Sequence, residues 1–196
     1  MVRIGITGGI GSGKSVVART LAVMGVPVYV SDDEAKRLTA SDACIRDGLV
    51  RLVGDDLYSG GVMRKELLAA YLFSSPENAA RVNSIIHPVV KGDFLRWAER
   101  NANSDIVGIE SAILIESGFT DVVDRVVMVY APLDVRVERA MSRDNAPREK
   151  VMSRVKAQMD DELKLCKADY VIVNDGIAPL IPQLLKLIDE LSAVRS

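Results

Sequence analysis

The 196-residue chain is predicted to be an α/β protein with a five-stranded parallel sheet flanked by helices, and three observations carry that prediction. Short β-branched runs alternate with longer helical stretches, the order expected when helical crossovers join parallel strands. Several runs are almost continuous Val and Ile, as strands buried on both faces require. The first run ends in a glycine-rich loop that opens directly into a helical stretch. With 48% hydrophobic and 27% charged residues, the composition is that of a globular chain with a real core.

Taken in order, the strands are expected at Arg3–Thr7, Pro27–Val30, Asp105–Glu110, Arg125–Tyr130 and Ala168–Val173. A helix follows the first loop through Val16, Val17, Thr20 and Leu21, and another is expected from Glu34, with Ser31, Asp32 and Asp33 before it. Between the second and third strands lies a long stretch without a convincing strand. It has a turn-rich piece at Gly54 to Gly61, helical pieces around Glu66–Phe73 and Glu77–Ile86, and a helix boundary at His87-Pro88. A connection of that length is expected to carry its own structure and a binding role, so residues 34–103 are read as a helical insertion. A smaller excursion, 143–156, rich in Arg and Lys, is read as a lid. Residues 1–33, 104–142 and 157–196 form the core of this scheme. Its last helix follows the turn Asn174-Asp175-Gly176, with Ile177, Leu180, Ile181, Leu184, Leu185, Ile188 and Leu191 on one stripe facing the core.

Charge and composition narrow the function. With 25 basic against 27 acidic residues the net charge is −2, so nothing favours nonspecific attraction to nucleic acid or an anionic membrane, and any anion site must be local. Cys44 and Cys166 lack metal-ligand spacing and are read as reduced thiols. No run of 18 apolar residues and no export signal is apparent, and a soluble, cytoplasmic protein is expected.

The decisive motif is Gly8-Gly9-Ile10-Gly11-Ser12-Gly13-Lys14-Ser15, which fits the phosphate-binding loop: Gly, four residues, Gly-Lys, then Ser or Thr. Glycines let the backbone curl so that successive N–H groups face phosphate oxygens, and the following helix presents its positive end to the same anion. Gly9, Ile10, Gly11, Ser12, Gly13, Lys14, Ser15 and Val16 are therefore the candidate nucleotide-binding residues. Lys14 is expected at the β- and γ-phosphates, and the Ser15 hydroxyl on Mg²⁺. The fold class becomes that of a P-loop NTPase. The guanine-reading Asn-Lys-x-Asp element is absent, Asp105-Ile106-Val107-Gly108 starts a strand where a switch motif follows one, and Ser59-Gly60-Gly61 reads as a turn.

Ser31-Asp32-Asp33 stands directly after the second strand. In an open parallel sheet, ligands gather beyond the carboxyl ends of strands, so a carboxylate there can take or align the proton of an alcohol acceptor. The other use of these residues is as a helix cap, favoured for Asp33; Asp32 is the candidate base.

Beyond the loop, the acidic pair, His87-Pro88, Ala112-Ile113-Leu114-Ile115-Glu116, Arg139 with Arg143-Asp144, Arg154 with Gln158, and Ala168-Asp169-Tyr170 through Asn174 form an ordered set over nearly the whole chain. That set resembles dephospho-CoA kinases. The resemblance implies transfer of the ATP γ-phosphate to the ribose 3′-hydroxyl of dephospho-coenzyme A, the last step of coenzyme A synthesis. It implies three parts: a nucleotide core, a helical acceptor domain and a lid. It also makes Asp32 the carboxylate at the acceptor hydroxyl, with Lys14, Thr7 and Arg139 at the reacting groups. The family pattern after the second strand is Asp, a small residue, Asp; here Val30 occupies the place of the first Asp and Asp32 that of the second.

Lid arginines suit the chemistry because a guanidinium fork meets two transition-state oxygens at once. Arg139 leads. Arg143, assigned to the nucleotide site, and Arg148 and Arg154 serve equally well as solvated helix residues, and Arg143 can pair with Asp144. His87, the sole histidine, is read as a binding or structural residue of the acceptor domain rather than a base. Glu116 either approaches Mg²⁺ through water or holds the loop beneath the acceptor. Trp97 and Tyr71 are expected to pack in the insertion or to stack on the acceptor adenine. Another small-molecule kinase on the same scaffold and a noncatalytic nucleotide-binding regulator stay open as alternatives. A nucleoside monophosphate kinase would need arginines where Asp32 stands.

Overall fold

A computed structural model describes residues 1–193, which fall into two compact units, one of Met1–Val30 with the chain from Trp97 onward and one of Ser31–Arg96. The first contains β1 (Val2–Thr7), α1 (Lys14–Val23), β2 (Val28–Val30), β5 (Ile106–Glu110), β6 (Arg125–Tyr130), α6 (Leu133–Asp144), α7 (Arg148–Lys156), α8 (Asp161–Leu165), β7 (Tyr170–Val173) and α9 (Leu180–Ala193). The second contains α2 (Ser31–Ser41), α3 (Ala43–Val53), β3 (Tyr58–Ser59), β4 (Val62–Met63) and α4 (Lys65–Ser74). To it belongs also most of α5 (Pro76–Arg100), whose residues from Trp97 count with the first.

The five long-range strands form one parallel sheet in the order β2-β5-β1-β6-β7. β1 lies at its centre, with Ile6 in register with Glu110 on one side and Val127 on the other. Both faces are covered: on one, Ile4, Ile6, Val127 and Val129 pack with Val17 and Leu21 of α1 and with Leu184, Leu187 and Leu191 of α9, and on the other Val107, Ile109 and Met128 are fully buried. A satellite cluster of Val137, Ala140, Ala146 and Val151 joins α6 to α7. Each expected strand is present: β1 starts one residue earlier than expected, β6 as expected, and β2, β5 and β7 one or two residues later. At β7 the shift has a visible cause, since the Asp169 carboxylate accepts from the Val126 N–H at 2.7 Å and precedes the regular ladder.

In the second unit, Leu38, Ile45, Leu49, Leu57, Val82, Val90 and Phe94 are buried. Asp42 caps α3 by accepting from the Ile45 N–H at 3.0 Å, and the Tyr58 hydroxyl donates to the Thr39 carbonyl at 2.8 Å. Buried Asp93 is met by Arg37 at 2.8 Å and Arg96 at 3.3 Å.

Four expectations need correction. α2 begins at Ser31, three residues early, because Asp32, Asp33 and Glu34 in the first turn suit the positive end of a helix as well as a cap would. The insertion is not strand-free: β3 and β4 form a short antiparallel hairpin around Gly60-Gly61. α5 runs through His87-Pro88 without ending, since Pro88 lies on the exposed face, where water can serve the Ser84 carbonyl that a proline cannot. Finally, Ile177, Ile181 and Leu185 are exposed, and the core face of α9 uses Leu184, Leu187 and Leu191. Among the described residues no helix is long and apolar enough to cross a membrane.

Candidate nucleotide-binding site

The turn between β1 and α1 is the glycine-rich loop, and it closes on itself. The Ser12 N–H donates to the Gly9 carbonyl at 3.1 Å, and the Val16 and Val17 N–H groups reach the Gly13 carbonyl at 2.9 and 3.1 Å. Gly11 has φ +76° and Gly13 φ +92°, left-handed conformations that admit glycine without strain. Lys14 is only 8% exposed, and its ammonium donates to the Gly9 carbonyl at 3.3 Å.

Beside the loop stands Glu110, buried at the carboxyl end of β5, with Oε2 3.5 Å from the Ser15 hydroxyl that donates to it. These are hard oxygen donors of the kind that binds Mg²⁺. Among the described residues no group of three or more His, Cys, Asp or Glu side chains could cage a metal, so a cation here would draw on nucleotide phosphates for its remaining ligands. The Thr7 hydroxyl, where β1 enters the loop, and the Ser12 hydroxyl, within it, are buried and without a hydrogen-bond partner, which is uncommon for buried hydroxyls and leaves bonding capacity at the site.

The loop is gripped from outside as well. Asn174, at the end of β7, donates from Nδ2 to the Ser12 carbonyl at 2.8 Å, and Arg139 donates to the Asn174 carbonyl at 2.7 Å. Arg136, 4% exposed, pairs with Asp161 and lies against Gly9, where a Cβ would fall 1.7 Å from its guanidinium. The Ile10 N–H donates to the Gln158 side-chain carbonyl at 3.0 Å.

A sequence profile described as dephospho-CoA kinase (CoaE) matches residues 2–179. The chain belongs to the dephospho-CoA kinase family. A dephospho-CoA kinase of Bacteroides fragilis is 59% identical over 95% of this chain and 91% of its own. A crystal structure from Thermus thermophilus is 34% identical, with TM-score 0.84 and 96% of each chain covered. A dephospho-CoA kinase structure from Campylobacter jejuni shares the fold at TM-score 0.71 and 22% identity, covering 99% of this chain and 98% of its own. The architecture is therefore that of the P-loop kinases.

Within this family frame, the sequence-derived residues fall in different places. Gly9 to Ser15, with Val16 in the first turn of α1, form the loop, and Thr7 ends the strand that feeds it. Asp32 sits exposed in the first turn of α2, two residues after β2, in the second unit. Asp33, expected as a cap, lies inside the helix and makes an exposed ion pair with Lys36 at 2.9 Å. Arg143 and Arg154 both bind Asp144, at 2.8 and 2.7 Å, and Arg148 binds Asp134 at 2.9 Å. The Glu116 carboxylate accepts from the Met159 N–H at 3.0 Å and pairs with fully buried Lys164 at 2.9 Å, a bracing role. Trp97 packs edge-on to Tyr29 of β2, ring centroids 5.6 Å apart, instead of within the insertion. His87 is half-buried, and burial, aided by Lys91, holds its imidazole below the usual histidine range.

Glu110, Arg136, Asp161 and Lys164 were not singled out from sequence. Glu110 had a usable signal, an acid closing a fully buried strand. Arg136 had none, because its importance comes from Gly9, which is 127 positions away in the chain.

Proposed function

We propose that the chain transfers the γ-phosphoryl group of ATP to the ribose 3′-hydroxyl of dephospho-coenzyme A, giving coenzyme A and ADP. Family membership makes it a kinase, hence a transferase that uses ATP. The observation that carries the proposal is the formed phosphate loop, with Lys14 folded over it and the Ser15–Glu110 pair beside it.

In this reading the loop amides and Lys14 bind the triphosphate, and Ser15 with Glu110 would hold Mg²⁺. When bound with ATP, the cation neutralises charge on the β- and γ-phosphate oxygens. Thr7 offers its unpartnered hydroxyl to the reacting groups, and Arg139 a guanidinium. Asp32 takes or aligns the acceptor proton. Its position after β2 and its exposure support that role, and an alcohol acceptor needs such a carboxylate.

The second unit is assigned to the acceptor, as residues 34–103 were from sequence, and 143–156 to a lid. A cavity of about 620 Å³ supports the acceptor assignment. Ala35, Lys36 and Thr39 line it on the same face of α2 as Asp32, at helical spacings of three, four and seven, with Val62, Met63 and Lys65 opposite. An apolar hollow with two lysines fits a ligand that joins a diphosphate to a long, mostly uncharged arm.

The test is ATP consumption with Mg²⁺ against dephospho-coenzyme A, AMP, CMP and shikimate, with the position of the new phosphate determined. Turnover only with dephospho-coenzyme A, phosphorylated at the 3′-oxygen, is expected. Preference for another acceptor, or ATP binding with no acceptor-dependent turnover, overturns the proposal.

A further inference from the structure

We propose that Gln158 is a positioning residue for ATP, acting through the peptide group between Gly9 and Ile10. That peptide is held at both ends. Its N–H points out of the loop and donates to Gln158 Oε1 at 3.0 Å. Its carbonyl points the other way and accepts from Lys14 Nζ at 3.3 Å and from the Ser12 N–H at 3.1 Å. With glycine on one side, the peptide has little steric resistance to turning over. If it turned, the carbonyl would leave Lys14 and the ammonium would lose the contact that keeps it over the loop. Gln158 supplies the bond that opposes this.

Gln158 is itself fixed. Its neighbour Met159 donates from its backbone N–H to Glu116 at 3.0 Å, and Glu116 is anchored by Lys164, which also donates to the Ala112 carbonyl at 3.0 Å. Three residues beyond Gln158, Asp161 pairs with Arg136, and Arg136 NH1 reaches the Ile10 carbonyl at 3.5 Å. The next peptide of the loop is thus steadied from the same side. A cavity of about 320 Å³ is lined by Arg136, Gln158 and Asp161 beside the loop.

The residue type fits the task. A main-chain N–H needs an acceptor, and a glutamine carbonyl provides one without charge. Glutamate would make the same bond but add an anion beside a site built for a triphosphate.

This inference rests on the reading that ATP binds at the loop. Its test compares Gln158→Leu and Gln158→Glu with the unaltered chain and with Lys14→Ala, in steady-state kinetics with Mg-ATP and dephospho-coenzyme A varied separately. Losing one hydrogen bond that orients the loop should raise the KM for ATP in Gln158→Leu about 3- to 12-fold. The KM for the acceptor should stay within about twofold and the unliganded melting temperature within about 3 °C. Gln158→Glu, which adds an anion beside the loop, should bind ATP more weakly still at pH 8. An unchanged KM for ATP in Gln158→Leu, or a parallel rise for both substrates, overturns the positioning role. If the Leu variant does not fold, Gln158→Glu decides alone, and wild-type ATP affinity at pH 8 overturns it. Wild-type ATP affinity in Lys14→Ala would instead remove the nucleotide reading itself.

Discussion

Asn174 and Ser12 lie 162 positions apart and are joined by a single bond, from the Asn174 Nδ2 to the Ser12 carbonyl at 2.8 Å. Through it the end of the last strand sets the curvature of a loop formed near the start of the chain. Asn174→Ala leaves that carbonyl without its donor, at a cost of about 1 kcal/mol, and should raise the KM for ATP several-fold. Asn174→Asp should be worse, because it sets a second acceptor and a negative charge against the carbonyl. Melting curves and ATP titrations should give the order wild type, Ala, Asp; the reverse order of the two variants would mean the amide does not donate here.

Two glycines with similar backbones separate strain from crowding. Gly25 has φ +91° and nothing within 4 Å of an added Cβ, so Gly25→Ala should cost about 1 kcal/mol and leave ATP binding alone. Gly11 has φ +76°, and its added Cβ would fall 2.1 Å from the backbone carbonyl oxygen of Arg136, which cannot rotate away. Gly11→Ala should be more destabilising by denaturant unfolding and should lose ATP binding in calorimetry.

The chemical roles separate by variant. Asp32→Asn should keep ATP affinity and lose roughly 100-fold or more in turnover, whereas Lys14→Ala should lose both. Glu110→Gln keeps size and removes charge beside the Ser15 hydroxyl, so the Mg²⁺ concentration giving half-maximal rate should rise about tenfold. A titration of activity against Mg²⁺ reads this directly, and near wild-type turnover in the Asp32 variant removes it as the acceptor base.

The elements set by local pattern were legible in the sequence: five strands from their apolar runs, the loop from its glycines, α4 from its composition. What escaped depends on partners distant in the chain. Arg136 and Asp161 look like surface residues of two charged helices until the loop is seen lying against them. Pro88 reads as a stop because the pattern does not reveal that its face of α5 is the wet one. The Asp33–Lys36 pair, by contrast, depends on α2 starting at Ser31, which places Asp33 inside the helix and not at its cap.

His87 makes stability depend on pH in a definite direction. Burial, with Lys91 as the second cause, lowers its pKa in the folded chain, so the unfolded chain takes up a proton first as pH falls. The contribution is fully present above the unfolded value of about 6.5, and it is lost as pH drops below that towards the folded value. The melting temperature should therefore decline as the pH falls below about 6.5, and His87→Gln should flatten that decline. An identical slope in the variant would trace the decline to other groups.

The last helix offers the sharpest contrast between a helical stripe read from sequence and the face that is buried. Ile177 precedes α9, which begins at Leu180, and Ile181 and Leu185 each follow a core-facing leucine by one residue, about 100° around the helix and off the face that meets the sheet. Leu180, Leu184, Leu187, Ile188 and Leu191 mix steps of three and four and stay on it, with Leu187 at 3% exposure against 50% for Leu185. Leu187→Ala should therefore cost about 2–5 kcal/mol, the range for emptying a buried leucine site, while Leu185→Ala should stay within about 0.5 kcal/mol. Urea unfolding of the two variants under identical conditions checks the pair. Equal losses would place Leu185 in a buried environment and rotate the packed face of α9 by about one residue.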